Sequence, residues 1–146
     1  CYEGVPWLTA VVVMTGALPR IEIVVIALLY SVGAHGIMTL NDFKAIEGDI
    51  AIGIRTLPVQ LGPQRAARLA CLVMIAPQLI IFGLLIFWEQ TLAGSMIAAL
   101  VAGQVLAMRK LLKAPRDFAP WYNGVGVTQY VAGMMVTACA IGGHFG

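Results

Sequence analysis

Five stretches of this chain, at 5–19, 21–40, 69–88, 91–108 and 124–146, are apolar for most of their length. A segment of that kind has no water to satisfy its backbone in a bilayer, so it must satisfy its own N–H and C=O groups by forming a helix. At a rise of 1.5 Å per residue, three of the segments reach or approach the ~30 Å of a hydrocarbon core, and 91–108 nearly does. The segment at 5–19 is short, roughly 22 Å, and would be completed by residues upstream. The rest of the composition agrees. Hydrophobic residues make up 60% of the chain and charged residues 11%, where soluble domains carry about 25%. The expected fold is an all-α membrane protein with about five transmembrane helices in a single integral membrane domain. Cys1, Cys71 and Cys139 form no disulfide pattern and no zinc spacing.

The connections set the topology. Pro19-Arg20 and Glu89-Gln90 are tight turns between neighbouring spans, whereas 41–68 and 109–123 are long and fall on one side. Those two segments hold eight of the nine basic residues, leaving Arg20 opposite. The bias of Lys and Arg toward the cytoplasm makes both segments cytoplasmic loops. A net charge of +2 with no basic tract gives no reason to expect nucleic acid as a partner; the lipid bilayer is the expected one. Gly94, Ala98 and Ala102 form an i, i+4, i+8 row of small residues that suits close helix packing. Trp88, Trp121 and Tyr122 sit at segment ends, where an aromatic belt belongs.

Charge is concentrated in one place. Asn41-Asp42-Phe43-Lys44-Ala45-Ile46-Glu47-Gly48-Asp49, followed by Gly53-Ile54-Arg55-Thr56-Leu57-Pro58, brings three carboxylates, a lysine and an arginine together directly after an apolar span. Ser31, His35, Thr39 and Asp42 lead into it at spacings of four, four and three, so they share one helix face. Asp49, seven residues further, continues that face if the helix does. A polar stripe inside a span normally faces a bundle interior or a cavity, so Ser31, His35 and Thr39 are candidate cavity-lining residues. Asp42 and Asp49 offer oxygen ligands of the kind Mg²⁺ takes together with substrate phosphates. Glu47 is a third candidate, although on a helix it points roughly 100–150° away from the aspartates. Lys44 and Arg55 can pair with phosphate oxygens. The spacing is not that of an EF-hand, and Leu61-Gly62-Pro63 is not a P-loop. A charged cluster between spans is also what a solvated loop requires, so spacing alone leaves both readings open.

The same residues resemble a known motif. The acidic run at 41–49 with 53–59 and Leu61-Gly62 is similar to the second aspartate-rich motif of the UbiA-type intramembrane prenyltransferases, most of all the chlorophyll and bacteriochlorophyll synthases. Pro120-Trp121-Tyr122-Asn123-Gly124, with Thr128-Gln129-Tyr130 and Gly133-Met134-Met135, resembles the C-terminal end of the latter. The resemblance implies a bundle of roughly nine helices with two such motifs on the cytoplasmic side of a bacterial inner or intracytoplasmic photosynthetic membrane. This chain would be the C-terminal part of a longer one, lacking the first motif and inactive alone.

The resemblance further implies that Asp42 and Asp49 hold Mg²⁺ against a prenyl diphosphate, with Glu47 as a further ligand candidate. Lys44, Arg55 and Asn41 would contact the diphosphate. Related enzymes often carry another Asp where this chain has Ala45, which would shift metal coordination toward the other motif or Glu47. The implied reaction esterifies the propionate of a (bacterio)chlorophyllide with a geranylgeranyl or phytyl diphosphate, with pigment–protein assemblies as neighbours. Two other readings stand beside it. One is a related prenyltransferase of haem O or quinone synthesis; the other is a non-catalytic membrane subunit or transporter whose pathway the stripe lines.

Overall fold

The breaks between helices follow from a few residues that cannot continue one. Gly16, at a φ of +68°, ends α1 (Gly4–Thr15), and extended Arg20 precedes α2 (Ile21–Asn41). Glu22 in the first turn of α2 pairs with Arg20 at 3.6 Å and suits the positive end of the helix dipole. Asp42–Lys44 is a single 3-10 turn, after which come α3 (Ile46–Ile52) and α4 (Leu57–Leu61). The remaining helices are α5 (Pro63–Phe87), α6 (Thr91–Leu111) and α7 (Pro115–Phe145). The computed structural model describes residues 4–145, so Cys1 and Gly146, the last residue of the fifth apolar segment, lie outside the described residues. Among the described residues the secondary structure is helical throughout, with no strand.

Four helices, α2, α5, α6 and α7, are long and apolar enough to cross a membrane, and the chain is a multi-pass membrane protein. The fifth expected span, α1, has twelve residues, about 18 Å at the helical rise. Helices α2, α5, α6 and α7 pack in turn around one core, and α1 lies against α2. The expected loops are largely helix. Within 41–68, the turn, α3 and α4 occupy most of the length, and α5 starts at Pro63, six residues before the apolar run. Pro suits a first helical position because its missing N–H would have no partner there. Within 109–123, α6 runs on to Leu111 and α7 begins at Pro115, passing through Pro120.

Close contacts hold the bundle together. A Cβ at Gly36 would stand 2.6 Å from the Ala70 carbonyl oxygen, so α2 and α5 touch nearly backbone to backbone there. Halfway along α2 the Tyr30 ring stacks on Trp7 and meets Tyr130 edge-on, both at 5.5 Å. Its hydroxyl shares a 2.8 Å hydrogen bond with Thr137, and Tyr130 donates to the Tyr30 carbonyl at 2.8 Å. Gln78 of α5 donates to Gln104 of α6 at 2.7 Å, both fully buried. Polar groups in such surroundings must find each other, and these pairs join α2 to α7 and α5 to α6.

Two packing expectations are corrected. Gly94 packs against Ile86, but Ala98 and Ala102 face outward, because the buried face of α6 is Ala93, Ile97, Val101, Gln104 and Met108. Tyr122 is fully buried and does not belong to an aromatic belt; its ring lies over Gly126 one turn on, where a Cβ would stand 2.2 Å from it. Trp121 remains at the surface with the Lys110 ammonium 4.0 Å from its ring centre.

Candidate active site

Asp42 is the residue at which α2 stops, with its backbone N–H on the carbonyls of Met38 and Leu40. Phe43 and Ile46, both buried, anchor the turn and the start of α3. Asp49 lies three residues after Ile46, on the same side of that helix, and is itself only 9% exposed. Gly53, at a φ of +76°, then reverses the chain. Such a left-handed residue is commonly glycine, and here it lets the Ile54 N–H reach back to the Asp49 carbonyl at 2.8 Å. The reversal returns Thr56, whose hydroxyl donates to Asp49 Oδ2 at 3.0 Å. Gly62 takes φ +76° and ψ 157°, a conformation essentially restricted to glycine, and so separates α4 from α5.

The two aspartates are close enough to feel each other. Burial, and then the charge of Asp49, hold the Asp42 carboxyl above its usual range. A carboxylate at a helix C-terminus also meets the negative end of the dipole. Among the described residues neither aspartate has a basic partner; the ion pairs are Arg20–Glu22 and Arg116–Glu47. Two partly enclosed acids that lack a cation suit a divalent ion. Among the described residues no three His, Cys, Asp or Glu side chains gather as a metal site. A cation held here must therefore draw its other ligands from substrate, water or chain beyond these residues.

The other expected residues divide. Lys44 and Arg55 are exposed beside the aspartates in sequence. Glu47 is engaged by Arg116 Nη1 at 3.1 Å, with both side chains mostly exposed. Asn41 Oδ1 accepts from Asn123 Nδ2 at 2.8 Å. The stripe on α2 is bonded inward on itself: His35 Nδ1 pairs with the Ser31 carbonyl and Thr39 donates to the His35 carbonyl, each at 2.9 Å. Ser31 is closed off by α1, since a Cβ at Gly4 would be 2.6 Å from its oxygen, whereas His35 is exposed.

Thr56, Arg116 and Asn123 are the residues that spacing did not pick out. Thr56 stands in the motif itself; Arg116 and Asn123 are remote in sequence and arrive on α7. Two apolar cavities of about 450 and 470 Å³ lie at the far end of the helices, around Met96 and Met135 and around Trp7 and Ile23. They are separated from the carboxylates by most of the length of α2.

The UbiA prenyltransferase family profile matches residues 3–125. The chain is 54% identical to the bacteriochlorophyll synthase 33 kDa chain of Cereibacter sphaeroides over 98% of its own length and 47% of the relative's. It is 46% identical to the protein of the same name from Rhodobacter capsulatus, over 97% and 48%. The chloroplastic chlorophyll synthase of Arabidopsis thaliana is 31% identical over 95% of this chain and 36% of that one. The chain thus spans about half the length of the bacterial relatives it matches. No solved structure matches it.

Proposed function

The chain belongs to the UbiA prenyltransferase family, and from that premise we propose that it forms part of an enzyme joining a prenyl chain to the propionate of a (bacterio)chlorophyllide. The observation that carries this reading is the pair of carboxylates, Asp42 and Asp49, which have no basic partner among the described residues and lie within the family match at one end of a membrane bundle. The names of the similar synthases support the choice of acceptor.

In this reading Asp42 and Asp49 hold Mg²⁺, and Thr56 keeps the Asp49 carboxylate in place. Lys44 and Arg55 donate to diphosphate oxygens, and the Asn41 amide adds a neutral donor. Bound Mg²⁺ supplies positive charge that stabilises a departing diphosphate. A propionate, with a reference pKa near 4, is already ionised at neutral pH, so the acceptor needs no strong general base from the protein. The basic residues at 41–68 and 109–123 support a cytoplasmic orientation for this end in a bacterial inner or photosynthetic membrane.

The test is Asp42→Asn and Asp49→Asn in the full-length enzyme, assayed for esterification of bacteriochlorophyllide with geranylgeranyl diphosphate at saturating Mg²⁺. Each is expected to lower kcat/KM by about a hundredfold or more. Turnover within threefold of wild type, on the order of a lost surface contact, would falsify the metal-holding role.

A further inference from the structure

Asn123 lies seven residues, two helical turns, beyond Arg116, so both leave α7 on one face and both reach the acidic segment. Their contributions differ. Arg116 and Glu47 are 53% and 75% exposed, and an ion pair so open to solvent contributes little. Asn123 is half-buried, and its Oδ1 is enclosed with no partner among the described residues.

A primary amide has one accepting end and one donating end. Asn123 spends its donor on Asn41 Oδ1. The reverse orientation would enclose two N–H donors where there is now one oxygen, and a buried carbonyl tolerates the lack of a partner better than a buried N–H does. The consequence falls on Asn41. Its oxygen is occupied, and its Nδ2, which has no partner among the described residues, is the end left to solvent. Asn41 adjoins Asp42. A diphosphate presents only acceptors, so it can use the N–H end of that amide and is repelled by the carbonyl end.

We propose that Asn123 is a positioning residue that fixes the Asn41 amide with its N–H donors available to a diphosphate beside Asp42. This rests on the prenyl-diphosphate reading above. Asn123 itself touches no substrate.

The discriminating substitution is Asn123→Asp. Aspartate still hydrogen-bonds to Asn41, but only as an acceptor, so it turns the Asn41 amide and presents the carbonyl. The experiment measures binding of inorganic pyrophosphate with Mg²⁺ to the full-length protein, for wild type, N123D, N123A, N41A and N41A/N123D. Thermal melting confirms equal folding, and N123L provides a second neutral replacement, of similar size, if N123A melts early. N123D is expected to weaken pyrophosphate binding by about tenfold, the scale of one charge-assisted hydrogen bond, and by more than N123A does. In the N41A background the same substitution is expected to change binding by less than about threefold, because no amide remains to be turned. An equal loss in the N41A background would show that the added charge acts directly and would overturn the proposal. So would N123D binding as well as wild type, which would leave Asn123 a structural tie alone. A wild type that binds no pyrophosphate overturns the diphosphate reading itself, and is told apart because no variant enters that comparison.

Discussion

Asp42 is a strained choice of residue for its place. It ends α2 at the negative pole of the helix, partly enclosed, with Asp49 nearby, and burial and that neighbour raise its carboxyl pKa. The sign has two consequences. For folding, an acid whose folded pKa lies above its unfolded value disfavours the folded state once it ionises, so at neutral pH Asp42 takes stability away. For binding, a cation that needs the ionised form competes with the proton. The Mg²⁺ concentration needed for half-maximal activity is therefore expected to rise as pH falls through the raised value. Asp49→Asn removes the charge that contributes to the shift, and any residual activity should show its acid limb at lower pH than wild type. Titration of residual activity with Mg²⁺ across pH checks this, and an unmoved acid limb would contradict it. The aspartates were legible in the sequence because charge is scarce in so apolar a chain. The Asn41–Asn123 bond was not, since its partners are 82 residues apart and neither carries charge.

At the scale of the helix, small residues matter where backbones meet. Gly36 has no room for a methyl group, because a Cβ there would stand 2.6 Å from the Ala70 carbonyl oxygen and 2.5 Å from Met74 Cγ. Gly36→Ala is expected to lower stability by about 1–3 kcal/mol, the cost of overpacking. Gly83→Ala on α5 meets nothing within 4 Å and is expected to be neutral or to gain up to about 1 kcal/mol from helix propensity. Thermal melting in one detergent compares them, and equal behaviour would mean that the α2–α5 approach is softer than it looks. Helix existence followed from apolar length, but helix ends did not. The stretch at 109–123 reads as loop, yet α7 runs through Pro120, at the loss of the one bond a residue there would make to the Arg116 carbonyl. The connection at 41–68 reads as loop because it is polar, while Phe43, Ile46 and Pro58 give its short helices something to bury.

For the whole molecule, Arg116–Glu47 and the hydrogen bond from Gln64 to the Leu112 carbonyl at 2.9 Å bring the two basic segments to one end of the bundle. That end is expected to face the cytoplasm. A cysteine placed at Lys113 should react with a membrane-impermeant maleimide in inverted vesicles and not in intact spheroplasts, with Glu89→Cys giving the opposite pattern; the reverse result would invert the topology. This grouping was legible in the distribution of Lys and Arg. Which small residues face inward on α6 was not, because the row Gly94, Ala98, Ala102 and the packed row beside it are both apolar, and only the partners distinguish them. One unbroken helix spans these levels. On α7, Asn123 meets the acidic segment and Thr137, fourteen residues on, meets Tyr30 deep in the bundle, a separation of about 21 Å at the helical rise. A rod fastened at both points works as a ruler: it sets how far the Asp42 turn stands from the membrane interior, and so the depth at which the reactive end of a long, greasy chain would meet its charged head group.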